Sequence, residues 1–254
     1  MPGSDCDPTL VIGGSRGIGA EIVKVLAERG VGLAFTYCKH EARAQRVYKA
    51  LRDSGARAPI QVDICSEDSV QRLFEIIRDE FSGLGCLVLS ASGGLERDQP
   101  ASYAEDINVT AQLRLANVFL PIMRPRSRLL FLTSHEAHFS DVRDPYGPYA
   151  EIARTKKAGE TALLSLLAER GSGGTSITVV SADLVEGTST AKMLEIGSPE
   201  HIAARRKEVG RLPTIPEVAE RVADLCETPF EHLPKLSFVG DPGERYLVAG
   251  ASSV

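Results

Sequence analysis

Three groups of residues in this 254-residue chain have the types and spacing to do chemistry. The first is Gly13-Gly14-Ser15-Arg16-Gly17-Ile18-Gly19, directly after an apolar run and directly before a helical pattern. Glycines in that setting let backbone approach a pyrophosphate, and the helix start behind them offers unpaired N–H groups and a positive dipole end. The second is Ser134, at the end of another apolar run, with His135 and His138 after it. A hydroxyl there can orient a carbonyl, and an imidazole can act as an acid near neutral pH. The third is a helical stretch in which Tyr149 precedes Lys156 and Lys157. Together these groups suit dinucleotide binding beside a site that holds a carbonyl and moves a proton.

Such groups need a frame. Short β-branched or apolar runs fall at 10–12, 33–36, 59–62, 87–90, 129–133, 177–180 and 236–239. Between them lie helical patterns, such as Ile18, Ile22, Val25 and Leu26, or Val70, Leu73, Phe74 and Ile77. The alternation predicts one α/β domain over 1–254, a parallel sheet of about seven strands with helices on both faces. Two segments break the rhythm, a His-, Asp- and Pro-rich loop at 134–148 and a strandless insertion at 187–213. Ligands of such sheets bind beyond the carboxyl ends of the strands. Both segments leave strands at that end, so they are expected to wall the substrate site, with 187–213 as its lid. Met193, Leu194 and Ile196 either line an apolar pocket there or pack the lid helix.

Gly13, Gly17 and Gly19 in this context resemble the glycine motif of the short-chain dehydrogenases/reductases, with Ile12 where that family usually has Thr. Further landmarks follow in family order. Asp63-Ile64 resembles the pair that contacts adenine, and Leu89-Ser90-Ala91-Ser92 stands where the family has Asn-Asn-Ala-Gly. Asn108 resembles the relay Asn, and Ser134 the catalytic Ser. Residues 181–188, including Val185 and Thr188, sit where the family has Pro-Gly-x-x-x-Thr, but Asp183-Leu184 replaces Pro-Gly. The likeness spans residues 9 to about 245 and implies a Rossmann-type doubly wound fold, a nicotinamide cofactor and an oxidoreductase. No carboxylate ends the second strand, and Arg16, Lys39 and Arg43 surround that position, which favours NADP(H) over NAD.

The family's acid is a Tyr four residues before a Lys, one helix turn away on the same face. Aligning Lys156, preceded by Thr155, puts Ile152 in the Tyr position; aligning Lys157 puts Ala153 there. Either way the acid is missing. Tyr149-x6-Lys156 resembles the spacing of the enoyl-reductase branch, although that branch usually lacks both the glycine loop and the Ser. Seven residues place Tyr149 roughly 10 Å from Lys156 along the axis. Tyr146, His135 and His138 are other candidates. A last option is a substrate phenol, whose ordinary pKa is about 10. The runs 91–96, 134–139 and 155–160, with no paired Tyr, resemble those of angucyclinone ketoreductases of antibiotic biosynthesis. That resemblance implies reduction of a ketone on an aromatic polyketide. The rival from another class is a non-catalytic NADP-binding sensor.

The bulk figures narrow the rest. Net charge is −5 and 25% of residues are charged, so nucleic acid and anionic membrane are not expected partners. The cluster Arg205-Arg206-Lys207 reads as a solvated helix face. The five cysteines are odd in number and never spaced Cys-x-x-Cys, which points to a reducing cytoplasm and to no metal. Cys38, Cys65 and Cys86 read as small buried apolar residues. The acidic, proline-broken N-terminus is not a signal peptide. Family members pair through helices corresponding to 103–123 and 152–168, so a homo-oligomer stays open.

Overall fold

Strand β1 (Thr9–Ile12) runs between apolar layers because its neighbouring side chains point to opposite faces of the sheet. Val11 joins one core layer with Phe35, Val88, Leu130 and Val180, while Leu10 and Ile12 join the other with Leu87, Leu89, Leu129 and Phe131. Strands β2 (Leu33–Tyr37), β4 (Leu84–Leu89), β5 (Met123–Ser134) and β6 (Thr175–Ala182) are filled in the same two-sided way. Each fully buried Leu or Phe contributes about 1.5–3 kcal/mol. With the short β3 (Ile60–Gln61) and β7 (Leu236–Val239), the strands form one sheet in the order β3-β2-β1-β4-β5-β6-β7. All neighbours pair in parallel. This computed structural model describes residues 8–51, 54–96, 98–170 and 174–246. Cys6 and the proline-broken N-terminal segment lie outside the described residues.

Helices α1 (Gly17–Glu28) and α10 (Ile215–Glu227) cover one face, and α3 (Glu67–Glu80), α5 (Ala111–Phe119) and α7 (Ala150–Arg170) the other. Helix α2 (Glu41–Ala50) follows β2. The single turn α4 (Tyr103–Glu105) runs into a π-turn at Asp106–Thr110 before α5 begins. A π-turn inserts a residue and shifts the hydrogen-bond ladder, and such turns gather at functional sites. Gln112 satisfies the Ile107 carbonyl there, donating to it at 2.9 Å.

The 134–148 segment is partly helical: α6 (His135–His138) starts at Ser134, whose Oγ accepts from Ala137 N at 3.3 Å. The 187–213 segment holds α8 (Ser189–Gly197) and α9 (Pro199–Val209). Its ends meet through a parallel bridge between Glu186 and Thr214 and a 2.9 Å bond from Glu186 N to Pro213 O. It therefore projects as a closed loop from the carboxyl edge of β6. A last turn, α11 (Gly243–Tyr246), follows β7. No described helix is long and apolar enough to cross a membrane.

Two sequence expectations need correction. Cys38 is exposed, because the chain leaves the sheet immediately after Tyr37, and Cys65 is half-buried; Cys86 alone of the three is buried in the core. Arg205 is not on a solvated face: it is 2% exposed, with Asp183 beside it.

Candidate active site

The strand order reverses between β1 and β4, and a cavity of about 800 Å³ opens at the carboxyl ends beyond that point. Its size is that of a cofactor-plus-ligand site. The glycine loop forms one end. Gly13 has φ +88° and Gly17 φ +53°, conformations that L side chains rarely adopt. A Cβ on Gly19 would sit 2.2 Å from the Gly13 carbonyl oxygen, so only glycine permits this tight return. Gly13 N donates to Thr36 Oγ1 at 3.0 Å, tying the loop to β2. Arg16 starts α1 without any side-chain cap, which leaves the first N–H groups of that helix facing the cavity. These residues fit a dinucleotide pyrophosphate.

Every sequence-proposed cofactor residue lines this one cavity: Gly13, Ser15, Arg16, Gly17, Ile18, Gly19, Lys39, Asp63, Ile64, Ala91, Ser92, Lys156, Val185 and Thr188. Arg43 and His40 line it as well. Asp63 is held at the rim by Ser69 Oγ, which accepts its N–H at 3.0 Å, while its own Oδ1 accepts Cys65 N at 3.0 Å. Thr188 caps α8, accepting Ala191 N at 3.1 Å.

Helix α7 settles the register of the lysines. Lys156 is buried and lines the cavity, and no hydrogen bond or ion pair engages it among the described residues. Lys157 turns away and contacts Glu160 at 3.2 Å. Ile152 therefore occupies the position one turn before the site lysine. It lines the cavity and packs with Ala137, Tyr149 and Ala153. Tyr149 ends a 3-10 turn (Gly147–Tyr149) and reaches inward, so that its hydroxyl lies 3.4 Å from Ser134 Oγ. This is the one protein hydroxyl that touches Ser134 among the described residues.

Asn108 does not line the cavity. Its Nδ2 donates to Gly93 O and Thr155 Oγ1, both at 3.0 Å, and its carbonyl abuts α7 where Gly159 lacks a side chain. A Cβ on Gly159 would be 2.0 Å from that oxygen. Gln112, which sequence reasoning missed, donates to Ala91 O at 3.1 Å. Two amides of the π-turn region thus clamp alternate carbonyls of the 91–93 strip; the Asn108 and Gln112 spacing of four residues was the available signal.

His135 is fully buried, hydrogen-bonded to Ser181 Oγ at 2.8 Å and edge-on to Phe238 and Tyr246. Burial pushes its pKa down to about 4, so it is neutral at pH 7. His138 is paired with the buried Glu160 at 2.8 Å. Tyr146 stacks on His201 with ring centroids 4.0 Å apart and donates to Ser198 Oγ. Met193 and Leu194 line the cavity, whereas Ile196 is 87% exposed and does neither of the jobs expected of it.

Comparison with known proteins agrees with this fold. Residues 12–231 match the family described as "Enoyl-(Acyl carrier protein) reductase". Rat (Rattus norvegicus) NADPH carbonyl reductase 3 is 30% identical over 132 residues, 49% of this chain and 48% of that protein. The match thus spans about half the length of that relative. A hydroxynaphthalene reductase-like protein Arp2 of Metarhizium anisopliae is 29% identical, covering 64% of this chain and 62% of that one. A short-chain dehydrogenase of Burkholderia cenocepacia, solved in complex with NADP, superposes with TM-score 0.75 at 25% identity, covering 92% and 96% of the two chains. With the seven-stranded parallel sheet, the glycine loop and the Ser134–Lys156 site in one cavity, this chain belongs to the short-chain dehydrogenase/reductase superfamily.

Proposed function

We propose that this chain is an NADPH-dependent ketoreductase acting on an aromatic polyketide ketone of the angucyclinone kind, as in antibiotic biosynthesis. The observation that carries the reading is the single cavity joining the glycine loop to Ser134, Tyr149 and Lys156, with apolar Ile152 where the family acid stands. Arg16, Lys39 and Arg43 line the adenosine end and suit a 2′-phosphate. The carbonyl-reductase and hydroxynaphthalene-reductase relatives, the latter named for a fused aromatic substrate, support this chemistry. Leu95, Tyr146, Ile152, Met193 and Leu194 provide an apolar and aromatic surface at the opposite end of the same cavity. Segment 187–213 covers it.

A reduced nicotinamide bound at this site would supply the hydride for the carbonyl carbon. Ser134 Oγ donates a hydrogen bond to the carbonyl oxygen and orients it. Lys156, which no hydrogen bond or ion pair engages among the described residues, would hold the ribose hydroxyls. Asn108 and Gln112 fix the 91–93 strip, and neutral His135 supports the floor through Ser181. The oxyanion takes its proton from a phenol of the substrate adjacent to the ketone, and solvent reprotonates the phenolate. Positioned general acids contribute about 10²–10⁴-fold, so an unassisted ketone is a poor substrate.

A second reading is favoured by the 3.4 Å contact between Tyr149 and Ser134: Tyr149 is the acid, in a Tyr-x6-Lys arrangement. The family description is that of enoyl reductases, which fits this alternative. NADPH oxidation with a phenolic polycyclic ketone, compared with its methyl ether, tests the proposal. The free phenol is expected to react at least 100-fold faster. Equal rates refute substrate assistance and point to Tyr149, and no oxidation with any aromatic ketone leaves an NADP-binding sensor.

A further inference from the structure

Asp183-Leu184 stands where the family resemblance expects Pro-Gly, and this departure has a partner elsewhere in the chain. Asp183 follows β6; its N–H donates to Val239 O at 2.9 Å, and its Oδ1 accepts Leu184 N at 2.8 Å. Facing it from α9 is Arg205, whose Nε lies 3.1 and 3.0 Å from the two carboxylate oxygens, with Nη2 2.8 Å from Oδ2. The same Nη2 donates to Asp241 O at 2.6 Å, Nη1 pairs with Glu208 at 3.0 Å, and the guanidinium stands 5.0 Å from the Tyr246 ring centre. Gly240 makes the room: with φ +89°, it lies where a Cβ would come 2.9 Å from Asp183 Cβ.

A planar fork that reaches a carboxylate and a carbonyl together is a property of Arg and not of Lys. One turn earlier on the same helix face, His201 stacks on Tyr146. Helix α9 is thus tied at both positions to segments that follow β5, β6 and β7. Helix α8 is held differently. Ala191 is its one buried residue.

We propose that the Asp183–Arg205 pair is a lid anchor that fixes α9 as the back wall of the substrate end. Arg205 is then a positioning residue for the ketone and not for the nucleotide; this assignment to a ketone rests on the ketoreductase reading above. Asp183, Arg205, His201 and Tyr246 all line the cavity, so release of α9 widens its substrate end. Among the described residues, no hydrogen bond or ion pair connects Arg205 to the glycine loop.

The test uses Arg205→Met, Arg205→Lys and the double variant Asp183→Leu with Arg205→Met. The double variant removes both charges, because a buried carboxylate stripped of its partner destabilises a fold whereas an apolar replacement of the whole pair is often neutral. Four quantities are measured: amide hydrogen exchange of residues 199–209, the Kd for NADPH by fluorescence titration, and KM and kcat for a phenolic polycyclic ketone. For Arg205→Met, α9 exchange rises at least tenfold, the ketone KM rises at least tenfold, and the NADPH Kd stays within threefold. The double variant recovers thermal stability but keeps fast α9 exchange and high KM, because the bond to Asp241 is still gone. Arg205→Lys falls between. Unchanged α9 exchange in Arg205→Met, or equal losses of NADPH and ketone affinity, overturns the anchor. Exchange and NADPH binding need no turnover, so failure of the ketoreductase reading (no NADPH oxidised by the unaltered protein) is distinguishable from failure of the anchor. If Arg205→Met does not fold, the double variant decides by the same two criteria.

Discussion

Replacing Tyr149 by Phe separates a proton supplied by the protein from one supplied by the substrate. The ring is buried among Ala137, Ile152 and Ala153, and Phe keeps that packing, so the fold is expected to survive with its melting temperature within a few degrees. What is lost is one hydroxyl, 3.4 Å from Ser134 Oγ. A neutral hydrogen bond contributes about 0.5–1.5 kcal/mol net, and a contact this long sits at the lower end, since hydroxyl pairs prefer about 2.7–2.8 Å. About 0.5 kcal/mol in the transition state is roughly a twofold change in rate. Loss of a positioned general acid costs about 10²–10⁴-fold. The two readings thus differ by more than tenfold in a single number. Steady-state NADPH oxidation at 340 nm with a phenolic polycyclic ketone is the assay, and kcat within threefold of the unaltered protein is expected. A fall of 100-fold or more, with NADPH affinity intact, would refute the phenol-assisted mechanism and install Tyr149 as the acid.

Further outcomes are expected at other positions. His135 is neutral because burial pushes its pKa down to about 4, below the ordinary 6.5 of the unfolded chain. Its contribution is therefore fully present above about pH 6.5 and is lost as pH falls toward 4, on the order of 3 kcal/mol in total. Thermal melts across that window should drop by about 6–12 °C and flatten in His135→Gln; a slope unchanged by that substitution refutes the assignment. Gly19→Ala places a methyl 2.2 Å from the Gly13 oxygen and is expected to weaken NADPH binding at least 100-fold by fluorescence titration. Retained affinity would mean that the loop is not the pyrophosphate site. If Arg16 is the proposed partner of the 2′-phosphate, Arg16→Ala removes a charged hydrogen bond worth about 1.5–3 kcal/mol. The ratio of NADPH to NADH affinity should fall at least tenfold, and an unchanged ratio moves that role to Lys39 or Arg43.

All seven strands were legible in the sequence: the central ones carry runs apolar on both faces of a parallel sheet, and each is bounded by turns or helical periodicity. The predicted runs and the observed strands overlap at every position, from 10–12 against Thr9–Ile12 to 236–239 against Leu236–Val239. The glycine loop was legible for a related reason: its conformation is local, made by backbone within seven consecutive residues. Cys38 was misread because one position separates a strand residue from an exposed one. Arg205 was misread because local charge pattern cannot report a partner 22 positions away.

What the sequence determined by itself is the family, the glycine loop after the first strand and the absence of a Tyr four residues before either lysine, all of them statements about neighbours along the chain. The choice between Lys156 and Lys157 needed the tertiary structure, since only the packing of α7 against α5 and α6 decides which lysine faces the cavity. The same holds for Tyr149, whose approach to Ser134 depends on where the 3-10 turn sets the start of α7. It holds also for Asp183 and Arg205, whose meeting requires β6 and α9 to converge. Convergence of distant segments is settled by burial on two sides at once, and no single stretch of sequence carries that information.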